Sequence, residues 1–177
     1  MKFIETTLTG AFIIEVDQID DERGYFARSF CKTEFEQHGL ISSIVQCNIS
    51  FNKKQGTLRG IHFQEHPYEE AKIISCVQGR IFDVIVDLRK DSPTFCQWFG
   101  IELISNEHKM LYIPHGCGHG FQTLTDESVV YYQISQCYSP EHARGVRWDD
   151  SAFMIKWPSE PTVISERDRN FPVFVRH

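Results

Sequence analysis

The sequence predicts an all-β fold, either a sandwich or a barrel, and three observations support this prediction. Short segments rich in β-branched and aromatic residues recur along the chain. Glycine and proline residues separate them at short intervals, as in proteins built from many short strands. One or two short helices are predicted, and residues 32–38 form the clear one, because Thr33 and Glu36 have the spacing of a capping box and Gly39 stands where a helix would end.

Ten segments are predicted as strands. They are residues 12–16, 25–31, 44–51, 58–64, 71–77, 80–88, 98–104, 109–113, 121–124 and 129–135. Residues 114–120 are predicted to be a tight glycine-rich loop, and the chain after residue 139 to be rich in turns. No glycine-rich turn between a strand and a helix occurs, so we expect neither a bound nicotinamide cofactor nor a P-loop.

Length and composition limit the classes of protein to consider. The 177 residues are enough for one domain, 1–177, with its own core. The net charge of −6 argues against a nucleic-acid-binding protein, which needs a basic face. No stretch approaches the roughly 18 apolar residues of a membrane span. The start lacks a signal-peptide pattern and the six cysteines include no Cys-x-x-Cys pair, so we expect reduced thiols and a cytoplasmic protein.

The segment 44–51 alternates between an apolar and a polar face. Gln46, Asn48 and Ser50 share the polar face. Two interpretations fit this pattern: a solvated face at a sheet edge, or a face that binds a ligand.

Gln78 and Gly79 are predicted to form the two-residue turn of a β-hairpin between residues 71–77 and 80–88. Such a hairpin makes Lys72 and Asp83 diagonal neighbours on one face, among apolar residues. A solvated ion pair is the simpler interpretation. The apolar surroundings favour a pair inside a pocket, because buried charges are tolerated mainly when they are paired or functional.

His62 and His119 are the two histidines in strand-like or tightly turned sequence, and together with Lys72 and Asp83 they suggest a site. A metal centre is the first alternative, with His66 or His115 as the additional ligand. It is disfavoured because His62 lacks a closely spaced partner and the two additional histidines lie in turns beside proline. We therefore expect no metal and no cofactor.

Two further residues have alternative interpretations. Tyr132 either fills the core or, if it points inward, supplies a proton donor. Asp168 belongs to Ser165-x-x-Asp168, which either caps a short helix or carries a catalytic carboxylate. The sequence pattern does not separate these possibilities.

Several motifs, in order along nearly the whole chain, resemble the dTDP-4-dehydrorhamnose 3,5-epimerase family. They are RGYF at 23–26, LRGIHFQ at 58–64, GRIFDV at 79–84, DLRKDSPTF at 87–95, IPHGCGHGF at 113–121, YSP at 138–140 and WP at 157–158. The resemblance implies a metal-free, cupin-type β jelly roll that forms a homodimer, in which the N-terminal segment, about residues 1–30, completes the partner's site.

The resemblance also implies an isomerase acting on a nucleoside-diphosphate 4-keto-6-deoxyhexose in deoxysugar or surface-polysaccharide biosynthesis. The ketone at C4 acidifies the protons at C3 and C5. Inversion needs a base on one face, an acid on the other and a group that stabilises the enolate oxygen.

The motif positions imply a role for each candidate residue. His62 resembles the family's base, Asp168 the carboxylate behind it, and Tyr132 the acid. Lys72 holds the enolate oxygen and Asp83 positions Lys72. The remaining candidates bind substrate: His119 at the sugar, Arg23, Arg59 and Arg167 at the diphosphate, and Gln46, Asn48 and Tyr138 at the base.

Arg28 departs from the family pattern, since thymidine-using members carry a glutamate at this place. Thymine N3 donates a hydrogen bond that a carboxylate accepts, whereas cytosine and guanine present acceptors that suit arginine. One hypothesis is therefore a CDP- or GDP-linked substrate; the alternative is that Arg28 faces solvent or that another residue reads thymine.

Three other functions compete with a 3,5-epimerase. They are an epimerase that keeps the site but inverts one carbon only or acts on a longer sugar, a sugar-nucleotide-binding cupin without turnover, and a metal-dependent cupin oxygenase or isomerase. A binding protein has no use for a base and an acid on opposite faces, which speaks against the second.

Overall fold

The structure, a computed structural model, describes residues 1–175 and consists of two β-sheets packed face to face. The predicted all-β sandwich with one or two short helices is confirmed. The elements are β1 Lys2–Glu5, β2 Phe12–Glu15, β3 Gln18–Asp21, β4 Gly24–Ala27, α1 Lys32–Gln37, β5 Gln46–Asn52, β6 Thr57–Gln64, β7 Lys72–Gln78, β8 Arg80–Asp87, β9 Trp98–Ile104, β10 Lys109–Ile113, β11 Cys117–Thr123, β12 Ser128–Ile134, β13 Ala143–Gly145, β14 Val163–Ile164 and α2 Glu166–Arg169.

The first sheet has the strand order β1-β2-β10-β7-β12-β5 and the second the order β13-β6-β11-β8-β9, with β14 added parallel to β6. The inward faces of both sheets form the main core. Ile74 and Val130 of the first sheet meet Ile81, Ile85 and other apolar residues of the second, all fully buried. This follows from strand alternation, which directs every second side chain into the space between the sheets.

The predicted hairpin between β7 and β8 is wrong. The turn at Gly79 carries the chain from the first sheet to the second, so β7 pairs with β10 and β12, while β8 pairs with β9 and β11. Each strand has an apolar face that either arrangement would bury, and the choice depends on distant strands. Lys72 and Asp83 still point into one interior, but they do so from opposite sheets.

The predicted glycine-rich loop at residues 114–120 is also largely wrong, because Cys117–Thr123 forms the buried strand β11. A Cβ atom on Gly118 would lie 2.5 Å from Ile61 Cγ2, and one on Gly120 would lie 2.8 Å from Ile61 Cδ1. The glycines therefore mark close packing within the sandwich and do not form a turn.

Helix α1 ends as predicted, with Gly39 at a φ of 69° just after the last turn, but it begins differently. Cys31 is the N-cap residue and no side chain caps the helix, so the predicted capping box of Thr33 and Glu36 does not form. The second helix, α2, is capped by the hydroxyl of Ser165, which accepts a hydrogen bond from the N–H of Asp168.

Strands β3 and β4 form a separate two-stranded hairpin outside both large sheets. Its apolar side chains Ile19, Tyr25 and Phe26 are exposed. No helix within residues 1–175 has the length and apolar character needed to span a membrane.

Candidate active site

A cavity of about 430 Å³ opens between the two sheets. Its lining includes most of the candidate residues from the sequence: Gln46, Asn48, Arg59, His62, Lys72, His119, Tyr132, Tyr138 and Arg167. Asp83 and Asp168 are buried directly behind two of the lining residues. Residues scattered over more than 120 positions thus meet in one place because the sandwich brings β5, β7 and β12 of one sheet opposite β6 and β11 of the other.

The first pair in the site is His62 with Asp168. Nε2 of His62 lies 2.7 Å from Oδ1 of Asp168, and Oδ2 accepts a hydrogen bond from the backbone N–H of Gly60 at 3.1 Å. Burial raises the pKa of Asp168, but the hydrogen bonds from His62, Gly60 and Ser165 outweigh burial and bring the net pKa below its usual value. An ionised Asp168 fixes the proton of His62 on Nε2 and leaves Nδ1 as the basic nitrogen.

The backbone around His62 depends on Gly60. A Cβ atom at this position would lie 2.4 Å from Cα of Gly120 on β11, and the φ of 125° also favours glycine. The resulting close approach of β6 and β11 makes His62 and His119 direct cross-strand partners. Both side chains therefore face the same cavity.

The second pair is His119 with Asp83, and both residues are buried. Nε2 of His119 lies 2.7 Å from Oδ1 of Asp83. Burial raises the pKa of Asp83, and the neighbouring charges of His119 and Lys72 oppose this shift without cancelling it. Asp83 therefore orients His119 at the base of the cavity.

Lys72 pairs with a different carboxylate from the one predicted. Its Nζ lies 2.9 Å from Oε1 of Glu70 and donates a hydrogen bond to the carbonyl oxygen of His62 at 3.2 Å. Because β7 and β8 belong to different sheets, the expected contact between Lys72 and Asp83 does not form. Lys72 pairs with Glu70 instead, and Asp83 pairs with His119. The charge of Lys72 still acts on Asp83 through space.

Tyr132 enters the cavity from β12 of the first sheet, whereas His62 enters from β6 of the second. Its ring meets His119 edge to face, with 6.0 Å between the ring centroids. Burial raises the pKa of Tyr132 well above its usual value, and the negative charge of Asp83 adds to this shift. Tyr132 is therefore a protonated phenol, on the side of the cavity opposite His62.

Comparison with known proteins identifies the family. The sequence profile of dTDP-4-dehydrorhamnose 3,5-epimerase matches residues 5–175. A dTDP-4-dehydrorhamnose 3,5-epimerase from Methanothermobacter thermautotrophicus is 44% identical over 174 residues, which cover 96% of this chain and 92% of the relative.

Solved structures agree with this comparison. The Bacillus anthracis dTDP-4-dehydrorhamnose 3,5-epimerase, with TDP and PPi bound, matches with a TM-score of 0.94 and 43% identity over 98% of this chain and 99% of the other. A Legionella pneumophila dTDP-6-deoxy-D-glucose-3,5-epimerase in complex with dTDP-4-keto-L-rhamnose matches with a TM-score of 0.88 and 35% identity, covering 94% and 89%.

The chain belongs to the dTDP-4-dehydrorhamnose 3,5-epimerase family. The family resemblance, the cupin-type jelly roll and the enzyme class, a carbohydrate epimerase, are confirmed.

In this member of the 3,5-epimerase family, polar residues of β5 extend the cavity away from the two histidines. Gln46, Asn48 and Ser50 line it, so the polar face of this strand is not simply a solvated edge. Nε2 of Gln46 donates to Oδ1 of Asn48 at 3.3 Å, and the backbone N–H of Tyr138 donates to Oε1 of Gln46 at 3.0 Å. These contacts form a connected polar surface beside an exposed aromatic ring.

Three arginines border the same cavity: Arg144, which pairs with Glu65, and the two candidates Arg59 and Arg167. Nε of Arg59 donates to Oδ1 of Asn52 at 2.7 Å, which leaves the end of its guanidinium available to a ligand. The guanidinium of Arg167 lies 5.7 Å from the ring centroid of Phe171, which in turn contacts His62 edge to face. Both candidates are suited to bind anionic oxygens.

Two candidate arginines lie away from the cavity of their own chain. Arg23, on the exposed turn between β3 and β4, pairs with Asp21. Arg28 is also exposed, and its Nη1 donates to Oε1 of Glu34 at 3.2 Å. Neither arginine lines the cavity of its own chain, so the roles expected of Arg23 and Arg28 in substrate binding stay predictions.

Sequence reasoning missed two buried polar residues in the lining, Glu70 and Gln64. Gln64 donates to the carbonyl oxygens of Tyr68 and Cys137 and accepts from the N–H of Ser139, so it joins the loops at the cavity entrance. Glu70 stands two residues before Lys72, and this spacing on an extended chain directs both side chains to the same side. The spacing of Glu70 and Lys72 is therefore the sequence feature that could have identified Glu70 as a residue of the site.

Within residues 1–175, no group of three or more histidine, cysteine, aspartate or glutamate side chains is placed to hold a metal ion. The two histidines considered as additional ligands bond elsewhere. Nδ1 of His66 lies 3.2 Å from Oε1 of Glu69, and Nε2 of His115 lies 3.3 Å from Oγ of Ser135. The six cysteines are all free thiols.

Proposed function

We propose that this member of the family converts dTDP-4-dehydro-6-deoxy-D-glucose to dTDP-4-dehydro-L-rhamnose by inverting C3 and C5. The observation that carries the proposal is the position of His62 and Tyr132 on opposite sheets across one cavity, with His62 hydrogen-bonded to Asp168 and the pKa of Tyr132 raised by burial. A base and an acid on opposite sides suit a reaction that removes a proton from one face and returns one to the other.

His62 is the base. Because its Nε2 bonds to the ionised Asp168, Nδ1 carries the lone pair that accepts the proton from C3 or C5. The imidazolium that results is stabilised by the same carboxylate. Asp168 is held in place by Gly60 and therefore orients the ring before substrate binds.

Lys72 stabilises the enolate. Proton removal moves negative charge to the C4 oxygen, and a buried ammonium provides a hydrogen bond and a positive charge where solvent is excluded. Its contact with the His62 carbonyl oxygen holds the ammonium close to the base. One lysine serves both carbons, because C3 and C5 share the same ketone.

Tyr132 is the acid that returns a proton to the opposite face. Its raised pKa keeps the phenol protonated at neutral pH. The tyrosinate formed after proton transfer is high in energy and recovers a proton before the next cycle. His119, oriented by Asp83, binds the sugar between the two residues.

The nucleotide lies along β5. Arg59 and Arg167 pair with the diphosphate, while Gln46, Asn48 and Tyr138 contact thymine through hydrogen bonds and ring stacking. The ligands in the related structures, TDP in one and dTDP-4-keto-L-rhamnose in the other, support a thymidine nucleotide. The expected setting is the cytoplasm, without a nucleic acid, membrane or metal partner.

The functional unit is a single domain, 1–177, that forms a homodimer in which residues 1–30 reach the partner's site. The β3–β4 hairpin supports this proposal, because its exposed Ile19 and Phe26 make no core of their own and Arg23 stands at its turn. The edge strand β5 exposes Ile49 and Phe51 in the same way. Exposed apolar patches of this kind are typical of interfaces.

The test is proton NMR in D₂O with freshly prepared 4-keto-6-deoxyglucose linked to dTDP, CDP and GDP. We expect deuterium at both C3 and C5, fastest with dTDP. Deuterium at one carbon would indicate a single-carbon epimerase, and faster exchange with CDP or GDP would support the hypothesis based on Arg28. Absence of exchange with all three would refute the proposed reaction.

A further inference from the structure

We propose that Glu70 is a positioning residue that holds the ammonium of Lys72 in the direction needed to stabilise the enolate. This inference rests on the proposed function of Lys72. It concerns a residue that acts through its neighbour and does not itself contact the reacting atoms.

The contacts of Glu70 are few for a buried carboxylate. Its side chain is 7% exposed and lies in the lining of the cavity. Oε1 is 2.9 Å from Nζ of Lys72, and Oε2 has no hydrogen-bond partner within residues 1–175. The ion pair with Lys72 is therefore the main polar interaction that this carboxylate makes.

The stability of the fold does not explain a buried carboxylate with a single ion pair at this position. Removing a carboxylate from water is costly, and one ion pair returns that cost only when further hydrogen bonds satisfy the remaining oxygen. Here the remaining oxygen is unsatisfied. An apolar side chain at this position would fill the space without that penalty, which favours a role for Glu70 in the site.

The geometry around Lys72 specifies that role. The lysine stem starts on β7 of the first sheet, and its Nζ donates to the carbonyl oxygen of His62 on β6 of the second. Glu70 and His62 thus hold the ammonium from two sides. Without Glu70, a flexible four-carbon side chain would have a single anchor and would sample several rotamers.

The position of Glu70 is itself well defined. The N–H of Ala71, between Glu70 and Lys72, donates to Oγ of Ser135 at 2.8 Å, and the N–H of Ser135 donates to the carbonyl oxygen of Ala71 at 3.0 Å. This double link attaches the segment to the end of β12, the strand that carries Tyr132. The ammonium is thus oriented relative to the acid as well as the base.

A double-mutant cycle tests the inference. Deuterium exchange at C3 and C5 of dTDP-4-keto-6-deoxyglucose is measured for wild type, Glu70→Ala, Lys72→Met and the double variant. Enzyme concentrations are set so that residual exchange exceeds the buffer rate. We expect Glu70→Ala to lower kcat about 100-fold at both carbons, with KM within about twofold, because misplacing one catalytic group costs this much.

In the Lys72→Met background, Glu70→Ala should change kcat less than about twofold. Glu70→Gln, whose amide oxygen can still contact the ammonium, should stay within about threefold of wild type. Glu69→Ala is the matched control, because Glu69 is adjacent but pairs with His66 outside the cavity.

Three results would overturn the inference: an unchanged kcat in Glu70→Ala, an equal loss in both backgrounds, or a change confined to KM. A wild-type protein that exchanges neither carbon would instead refute the proposed function and, with it, the role of Glu70 in that reaction. The cycle therefore separates the two failures.

Discussion

His62 and Asp168 lie 2.7 Å apart, Nε2 to Oδ1, although 106 positions separate them in the chain. The second oxygen of Asp168 is occupied by the N–H of Gly60. A carboxylate can satisfy both donors, but a carboxamide cannot, because it has one oxygen. This difference makes the pair open to a sharp test.

Asp168→Asn should lower kcat about 10²- to 10⁴-fold, as loss of a histidine-orienting carboxylate does elsewhere. If the amide oxygen stays with Gly60, its NH₂ group faces Nε2 of His62 and places the imidazole proton on Nδ1, which removes the base. The measurement is the initial rate of deuterium exchange. Asp149→Asn, at a surface pair with Arg147, is the control, and a similar loss there would contradict the role of Asp168.

His62→Ala should abolish deuterium exchange at both C3 and C5, a loss of at least about 10³-fold, because one base serves both carbons. The variant should still bind dTDP, whose proposed contacts lie along β5, and isothermal titration calorimetry checks this. His66→Ala is the matched control, since His66 is exposed. Substantial exchange surviving at either carbon would remove His62 as the base.

Tyr132→Phe should separate exchange from inversion. Loss of the phenol leaves His62 and Lys72 able to form the enolate, so deuterium should still enter with retained configuration, while inversion falls about 100-fold. NMR reads both quantities in one sample. Tyr131→Phe changes the neighbouring side chain on the other face of β12 and serves as the control. Equal loss of exchange and inversion would count against Tyr132 as the acid.

The lowered pKa of Asp87 predicts how the free energy of unfolding falls at acidic pH. The carboxylate is fully buried, and although burial raises its pKa, hydrogen bonds from Arg89, Ser92 and Thr94 bring the net value to about 2. Against an unfolded value of 3.8, this corresponds to roughly 2.5 kcal/mol of stability. Because the folded pKa is depressed, this contribution is complete above about pH 4 and is lost as pH falls toward 2.

Asp87→Asn should therefore lower the free energy of unfolding by at least about 2 kcal/mol at pH 7. Its difference from wild type should shrink between pH 4 and pH 2. Urea unfolding across this range provides the measurement, with Asp91→Asn in the same loop as the control because Asp91 is exposed. A difference that does not depend on pH would show that shape, and not ionisation, is responsible.

Mixing two inactive variants tests the proposed exchange of N-terminal segments. Arg23→Ala removes the arginine on the hairpin turn, and His62→Ala removes the base. If Arg23 acts in the partner's site, random mixed dimers contain one intact site, and about a quarter of wild-type activity should return after refolding together. No recovery, with dimers confirmed by light scattering, would mean that Arg23 acts in its own chain or not at all.

The local pattern of the sequence was enough for most strands, because β-branched and aromatic residues are concentrated in segments such as β7, β8 and β12. It was not enough for the pairing of β7 with β8. A two-residue turn containing Gly79 suits a hairpin and a change of sheet equally well, and strands far along the chain decide between them. The same lack of long-range information hid β11, whose glycines reflect contact with Ile61 and not a turn.

The site likewise combines features that the local sequence predicts with features that depend on the fold. The residue types and motif positions identified the lining side chains, and the structure assembles most of them in one cavity. The partner of Lys72 was mistaken because it followed from the wrong hairpin. Glu70 was missed because a glutamate beside a lysine is ordinarily a surface pair, and only the fold reveals that both are buried.

The close contact between Gly60 and Gly120 limits how this enzyme can be redesigned. No side chain fits at Gly60, so the spacing of the strands that carry His62 and His119 is set by the backbone alone. Libraries that randomise Gly60 on β6 or Gly120 on β11 would consist mostly of variants that fail to fold. Gln46 and Asn48, the proposed contacts to the base, lie on an edge strand that pairs only with β12 among the described strands, so directed evolution toward another nucleotide should begin there.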